Sequence, residues 1–137
     1  MVTLVELMAP RLGFTLGEVI AESGYRSGCD EFLRTSIVEI TGNELISGEI
    51  QEVVDAVLIW WRDGDGDLVD ELVDALAYLS SEGQIWLLTP KAGRSGHVEP
   101  SDIHGAAPIA GLSQTSTLSI ATDWVATRLV ARKARKR

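Results

Sequence analysis

Residues 54–91 read VDAVLIWWRDGDGDLVDELVDALAYLSSEGQIWLLTPK. Between Val53 and Trp61 both alternating sets are apolar, Val57, Ile59 and Trp61 on one parity and Ala56, Leu58 and Trp60 on the other, with Asp55 the only break. A strand apolar on both parities is covered on both faces, as in a parallel sheet under helices. The acidic loop Asp63–Asp67 follows. From Asp67 to about Ser80, the residues Leu68, Val69, Leu72, Val73, Leu76 and Leu79 recur on one helical stripe. Asp67 suits the N-cap, and Asp70 and Glu71 suit the positive end of the helix dipole. Gly83 is expected to end the helix. Gln84–Thr89 is a second buried strand closed by Pro90, and Lys91–His97 (KAGRSGH) is a basic, glycine-rich loop. Strand, helix and strand make one βαβ unit and place the chain in the α/β class.

The rest of the chain extends this unit in both directions. Residues 10–17 are turn-rich, and Glu18–Ser23 is a short strand ahead of the loop Gly24–Gly28. Asp30 can cap a helix to Thr41, with Leu33, Ile37 and Ile40 at helical spacing and Gly42 as its stop. Residues 43–52 are polar and carry no clear period. Pro100 to about Ala110 is a further helix with Pro in its first turn and Gly111 just past its end. Ser116–Ala121 and Trp124–Ala131 form a hairpin about Thr122 and Asp123. The expected fold is a three-layer, Rossmann-like α/β sandwich, its sheet mostly parallel with a C-terminal antiparallel hairpin and its crossovers right-handed. Residues 1–131 are expected to be one domain and residues 132–137 a basic tail.

Length and composition agree with a single globular unit, since 137 residues make about one domain. The sole cysteine, Cys29, allows no intramolecular disulfide, which fits a reducing, cytoplasmic setting. The start, MVTLVELMAP, lacks the basic region of a secretory signal, and the longest apolar run, Ala56–Trp61, is too short to span a bilayer. The net charge is −8, but RKARKR at the C-terminus holds five of the twelve basic groups, so residues 1–131 carry −13. Such a body repels nucleic acid. Only the tail (Arg132, Lys133, Arg135, Lys136 and Arg137) could meet an anionic partner, and a frayed, solubilising terminus is its plainer reading.

In open α/β sheets, ligands collect outside the carboxyl ends of the strands. Three loops are expected there: 24–28, 63–67 and 91–97. The candidate ligand-binding residues are Asp63, Asp65, Lys91, Gly93, Arg94 and His97. In one reading the basic loop grips an anion while the acidic loop holds a hydroxyl, an amine or a cation. In the other, Lys91 or Arg94 pairs with Asp63 or Asp65 and only fixes the loops. Asp63, Asp65 and Asp67 have the one-three-five spacing of a calcium loop. The sixth position, however, is Leu68 where Gly is needed, and the twelfth is Asp74 where a bidentate Glu is needed. His97, His104 and Cys29 have no zinc-type spacing, and neither a G-x-S-x-G elbow nor a Walker-type GK[ST] is present. No metal site and no catalytic residue is therefore assigned. The four tryptophans, Trp60, Trp61, Trp86 and Trp124, fall on strands and read mainly as core.

Two resemblances add to these readings. The segments VLIWWRDGDGDLVDELVDAL, IWLLTPKAGRSGHV, AAPIAGL and DWVATRLV resemble an actinobacterial family of small proteins, domain of unknown function 3052, over about residues 9–133. The family implies no established activity, and the first eight residues depart from its usual start. The order of elements is also similar to the later half of a class I, S-adenosylmethionine-dependent methyltransferase, and LGFTLGEVIAESG resembles the approach to that fold's first strand. Such enzymes carry an acidic, glycine-rich D/E-x-G-x-G turn there. Here the turn is ESGYRSG, where Glu22 and Gly24 match its start but Arg26 replaces the next glycine. The strand and acidic residue that would hold the ribose are missing. The resemblance implies a shortened, degenerate relative. The leading expectation is a non-catalytic protein-binding or regulatory module with a protein partner and no cofactor. The alternative is a small-ligand binder or methyltransferase-like enzyme taking S-adenosylmethionine or a nucleotide in the strand-end crevice.

Overall fold

The apolar run at the centre of the sequence becomes the centre of the sheet. A computed structural model describes residues 12–132. In it Val54–Trp60 forms β2, flanked by β1 (Ile20–Ser23) and β3 (Leu79–Pro90), with β5 (Trp124–Ala131) and β4 (Leu112–Ser119) completing the order β1-β2-β3-β5-β4. The three helices are α1 (Glu31–Thr41), α2 (Leu68–Leu76) and α3 (Pro100–Ile109). The two parities of β2 serve two cores. Ala56, Leu58 and Trp60 pack with Leu33 and Ile37 of α1, whereas Val57, Ile59 and Trp61 pack with Leu72 of α2 and Ile103 of α3. Helices therefore cover both faces of one sheet. All four tryptophans are buried, and Trp60 meets Trp124 edge to face at 4.9 Å between ring centroids.

Local chemistry places the elements largely where the sequence puts them. Asp30 caps α1 by accepting from the Leu33 amide at 2.9 Å, and Gly42 ends it at φ +77°. Asp67 caps α2 by accepting from the Asp70 amide. Asp55, the break in the apolar run, has its own use. Its carboxylate accepts from the Val19 amide at 2.8 Å and its amide donates to the Val19 carbonyl, fixing the start of β1 against β2. The polar stretch after α1 covers the outer edge of β1 through one parallel bridge, Ala21 to Ile46.

Three expectations are corrected. The sheet is mixed rather than mostly parallel: β1/β2 and β2/β3 are parallel, but β3/β5 and β4/β5 are antiparallel. The hairpin inserts its second strand beside β3, so its reversed direction appears in two of the four pairings. Second, α2 stops at Leu76 rather than near Ser80, because the chain re-enters the sheet at once, the Val54 amide donating to the Tyr78 carbonyl at 2.9 Å. Gly83 lies inside β3, at a slip in register from Val54↔Leu79 to Ala56↔Gln84. Third, the hairpin's first strand is Leu112–Ser119 rather than Ser116–Ala121, because Leu112 is drawn into the core shared with α3. The expectations for residues 1–11 and 133–137, including the secretory reading and most of the basic tail, lie outside the described residues. No helix among the described residues is long and apolar enough to cross a membrane.

Candidate functional site at the strand ends

Glu22, one residue from the end of β1, is the most enclosed carboxylate of the region, with its side chain 2% exposed. Burying a charge requires compensation. The Arg34 guanidinium supplies it by a two-pronged contact, Nε at 2.7 Å and Nη2 at 2.8 Å, and Trp60 Nε1 donates a third bond at 2.8 Å. This fork geometry is among the stronger polar contacts a protein makes. Arg34 also lies against the Tyr25 ring, 3.6 Å from its centroid, and Tyr25 donates to Glu31. That bond and the neighbouring negative charge push the Tyr25 phenol up. The same bond and Arg34 hold the Glu31 carboxyl low.

The loop after β1 then closes onto β2. Gly24 sits at φ +80°, and a Cβ there would lie 2.3 Å from the Trp60 carbonyl oxygen, so only glycine lets the backbone come this close. Arg26 reaches across to Asp65 at 2.8 Å. Asp65 also accepts from the Arg62 amide at 2.9 Å. Burial acts to raise the Asp65 carboxyl, but the Arg26 hydrogen bond, the Arg62 amide and both positive charges outweigh it and hold the group low.

Arg62 occupies the gap between the loops. Its Nη2 donates to the Ser27 carbonyl at 3.4 Å and its guanidinium lies 5.0 Å from the centre of the Trp124 ring. On the far side, a Cβ at Gly96 would meet its stem at 2.9 Å. Beside it lies a cavity of about 340 Å³ lined by Gly28, Arg62, Arg94, Ser95, Asp123 and Trp124, among others.

The structure thus brings the acidic and basic loops together through backbone, the Asp63 amide donating to the Gly96 carbonyl at 2.9 Å, but not through the expected ion pairs. Arg94 pairs with Asp123 at 2.9 Å, while Asp65 pairs with Arg26. Lys91 donates its amide to the Asp123 carbonyl, and Gly93 is an exposed turn position at φ +85°. His97 turns inward, with Nδ1 2.9 Å from the Pro90 carbonyl. A carbonyl can only accept, so Nδ1 carries the proton. His97 lines a separate small cleft, and His104 borders a groove of about 580 Å³ between α3 and β4. No group of three or more His, Cys, Asp or Glu is arranged to hold a metal ion among the described residues. Sequence reasoning did not single out Arg34, Arg62 or Asp123. Arg62 is a lone basic residue inside an acidic loop, and no local pattern marks it.

The resemblance to class I methyltransferases would place S-adenosylmethionine at this strand end. Both Glu22 oxygens are already taken by Arg34 and Trp60, and Arg26, in the place of the next glycine, bridges to Asp65. The sheet begins at β1, with no strand beyond it to present a ribose-holding carboxylate among the described residues. A cavity of about 370 Å³ lies at this strand end, lined by Glu22, Gly24, Arg34 and Gly48 among others, but the side chains that would hold the group are already paired with one another, so they do not fit it.

Comparisons with known proteins agree with this frame. The model of a family described as "Protein of unknown function (DUF3052)" matches residues 9–133. Uncharacterised proteins of Mycobacterium tuberculosis (Rv2239c) and Mycobacterium bovis (Mb2263c) are each 47% identical over 127 residues, covering 93% of this chain and 80% of theirs. Among solved structures, the pyocyanin biosynthetic protein PhzM matches with a TM-score of 0.70 at 12% identity, over 96% of this chain and 55% of that one. A putative type 11 methyltransferase from Sulfolobus solfataricus matches at 0.65 and 12% identity, over 88% of both. The mitomycin 7-O-methyltransferase MmcR matches at 0.59 and 12% identity, over 85% of this chain and 50% of its own. The chain thus spans about half the length of PhzM and MmcR, and at these identities the likeness is one of fold.

Proposed function

The chain belongs to DUF3052, a family of proteins of unknown function, and from that premise we propose a non-catalytic binding module that keeps a methyltransferase-like frame while its own side chains engage the acidic position at the end of β1. One observation carries this reading. The carboxylate at the end of β1 is bound on both oxygens by Arg34 and Trp60. A ligand that used this carboxylate would have to displace one of the Arg34 or Trp60 hydrogen bonds. The working surface is then the outside of the molecule. Residues 1–131 carry a net charge of −13, which favours a protein partner with a basic face and disfavours nucleic acid. Cys29, buried and unpaired, fits a reducing cytoplasm.

The test has two arms. Thermal denaturation with S-adenosylmethionine and S-adenosylhomocysteine should leave Tm unchanged, whereas a ligand at a hundred times its Kd would add about 2.7 kcal/mol. Affinity capture from native lysate should return one partner in a fixed ratio, and the complex should weaken as salt rises. Methyl transfer by the purified protein, or a Tm rise with S-adenosylmethionine, overturns the reading.

A further inference from the structure

The Arg34 cluster leaves no donor unmet, but the neighbouring cavity does. Arg62 makes one contact with Nη2, to the Ser27 carbonyl, while its Nη1 is buried and has no hydrogen-bond partner among the described residues. A guanidinium nitrogen kept from water without an acceptor is costly, so such a group is expected to have a use. Arg62 is partly exposed overall, but contacts hold it on several sides. Ser27 and Gly28 lie on one side of it and Gly96 on the other, with the Trp124 ring against its guanidinium. Arg94 stands across the cavity, held only by Asp123, and both of those side chains are more than half exposed, so their pairing is cheap to exchange. Among the lining residues two guanidinium groups stand against one carboxylate, and Asp65, which also feels the Arg62 charge, is paired with Arg26, so the cavity is locally positive within an acidic molecule.

We infer that this cavity, between the loops 24–28 and 91–97, binds the oxyanion group of a small molecule, a phosphate or a carboxylate, with Arg62 as its fixed donor and Arg94 as the arm that leaves Asp123 to close over it. Arginine suits this task, since its planar fork matches both groups. The volume of about 340 Å³ is at the small end of ligand pockets and accommodates a compact ligand, not a dinucleotide. The site is separate from the Glu22 cluster, and the binding-module reading above does not depend on it.

Two-dimensional NMR of the intact protein tests the inference, with phosphate and phenyl phosphate in one arm, acetate and benzoate in the other, and sodium chloride at matched ionic strength as control. Saturable shifts are expected at the Arg62 side-chain Nε–H, the Trp124 indole and the amides of Gly28 and Ser95. The arm with the lower Kd identifies phosphate or carboxylate. Arg62→Met should abolish saturation. Should that variant fail to fold, Ser95→Asp places a negative charge on the rim without disturbing the Arg62 packing, and it should weaken binding about tenfold or more, while Arg94→Gln should weaken it less. Shifts no larger than those of chloride, or saturation unchanged in Ser95→Asp, overturn the assignment.

Discussion

Glu22 shows how one side chain sets what a crevice can do. Its carboxylate accepts three hydrogen bonds from Arg34 and Trp60, so a small substitution has a large consequence. Glu22→Gln keeps the volume but turns one oxygen into a donor facing a donor, and leaves Arg34 with only the exposed Glu31 as its counter-charge. Because the Arg34 side chain is still 24% exposed, the loss should be below that of a fully buried pair, about 2–3 kcal/mol, read as a lower urea midpoint at unchanged m. A loss under about 0.5 kcal/mol would mean that the fork is not what holds this end of the sheet closed. The position of Glu22 beside a glycine turn is visible in ESGYRSG, and so is its likeness to a methyltransferase turn. What the sequence does not show is Arg34, twelve residues away and reading only as an exposed helix residue. The fork exists because α1 packs Leu33 and Ile37 into the sheet and so turns Arg34 toward β1.

Among the elements, the loops and the start of β3 teach different lessons. The clasp between Arg26 and Asp65 joins the turns after β1 and β2. Asp65 is held below the ordinary carboxylate range, so its contribution is present above about pH 4 and is lost as pH falls through its lowered value in the folded state. Arg26 is half exposed, which limits the contribution to about 1 kcal/mol or less. Asp65→Asn should therefore lower Tm by no more than about 3–5 °C at neutral pH, and the gap should narrow below about pH 4. A gap that persists in acid would assign the effect to packing. Gly83 illustrates ambiguity of another kind, since a glycine that ends a helix and one that permits a bulge read alike. Here a Cβ would lie 2.5 Å from the Leu79 side chain and 2.9 Å from the Asp55 carbonyl oxygen. Gly83→Ala should cost about 1–3 kcal/mol by urea denaturation, as overpacking does; a neutral outcome would place Gly83 in an open turn. Helix caps, by contrast, were legible because Asp30 and Asp67 act on amides only three residues away.

On the scale of the whole molecule, the legible part is what repeats with a period, and the hidden part is what meets across loops. The double-sided apolar run of β2 foretold a strand between two helical layers, and the structure places Val57 to Trp60 at 0–1% exposure. Arg62 and Asp123 line one cavity only because β2 ends beside a loop from β3 and a hairpin turn. No window of sequence contains that event. The same layering predicts an order of stability. β2 has a neighbour on each side and a core on each face, and the apolar stretch Ile85–Leu88 of β3 shares that setting. β4 pairs on one side only, and most of its residues are exposed. Its outward amides lack strand partners and should exchange early, whereas the β2 amides can exchange only when both layers come apart. Native-state hydrogen exchange should then give the amides of Val57–Trp60 and Ile85–Leu88 the free energy of global unfolding found with urea. The amides of Ser113–Leu118 should open several kcal/mol below it, within a total of about 5–15 kcal/mol. If β4 proved as slow as β2, its outer edge would have to be covered in solution, and the groove between α3 and β4 would become a surface on which to look for what covers it.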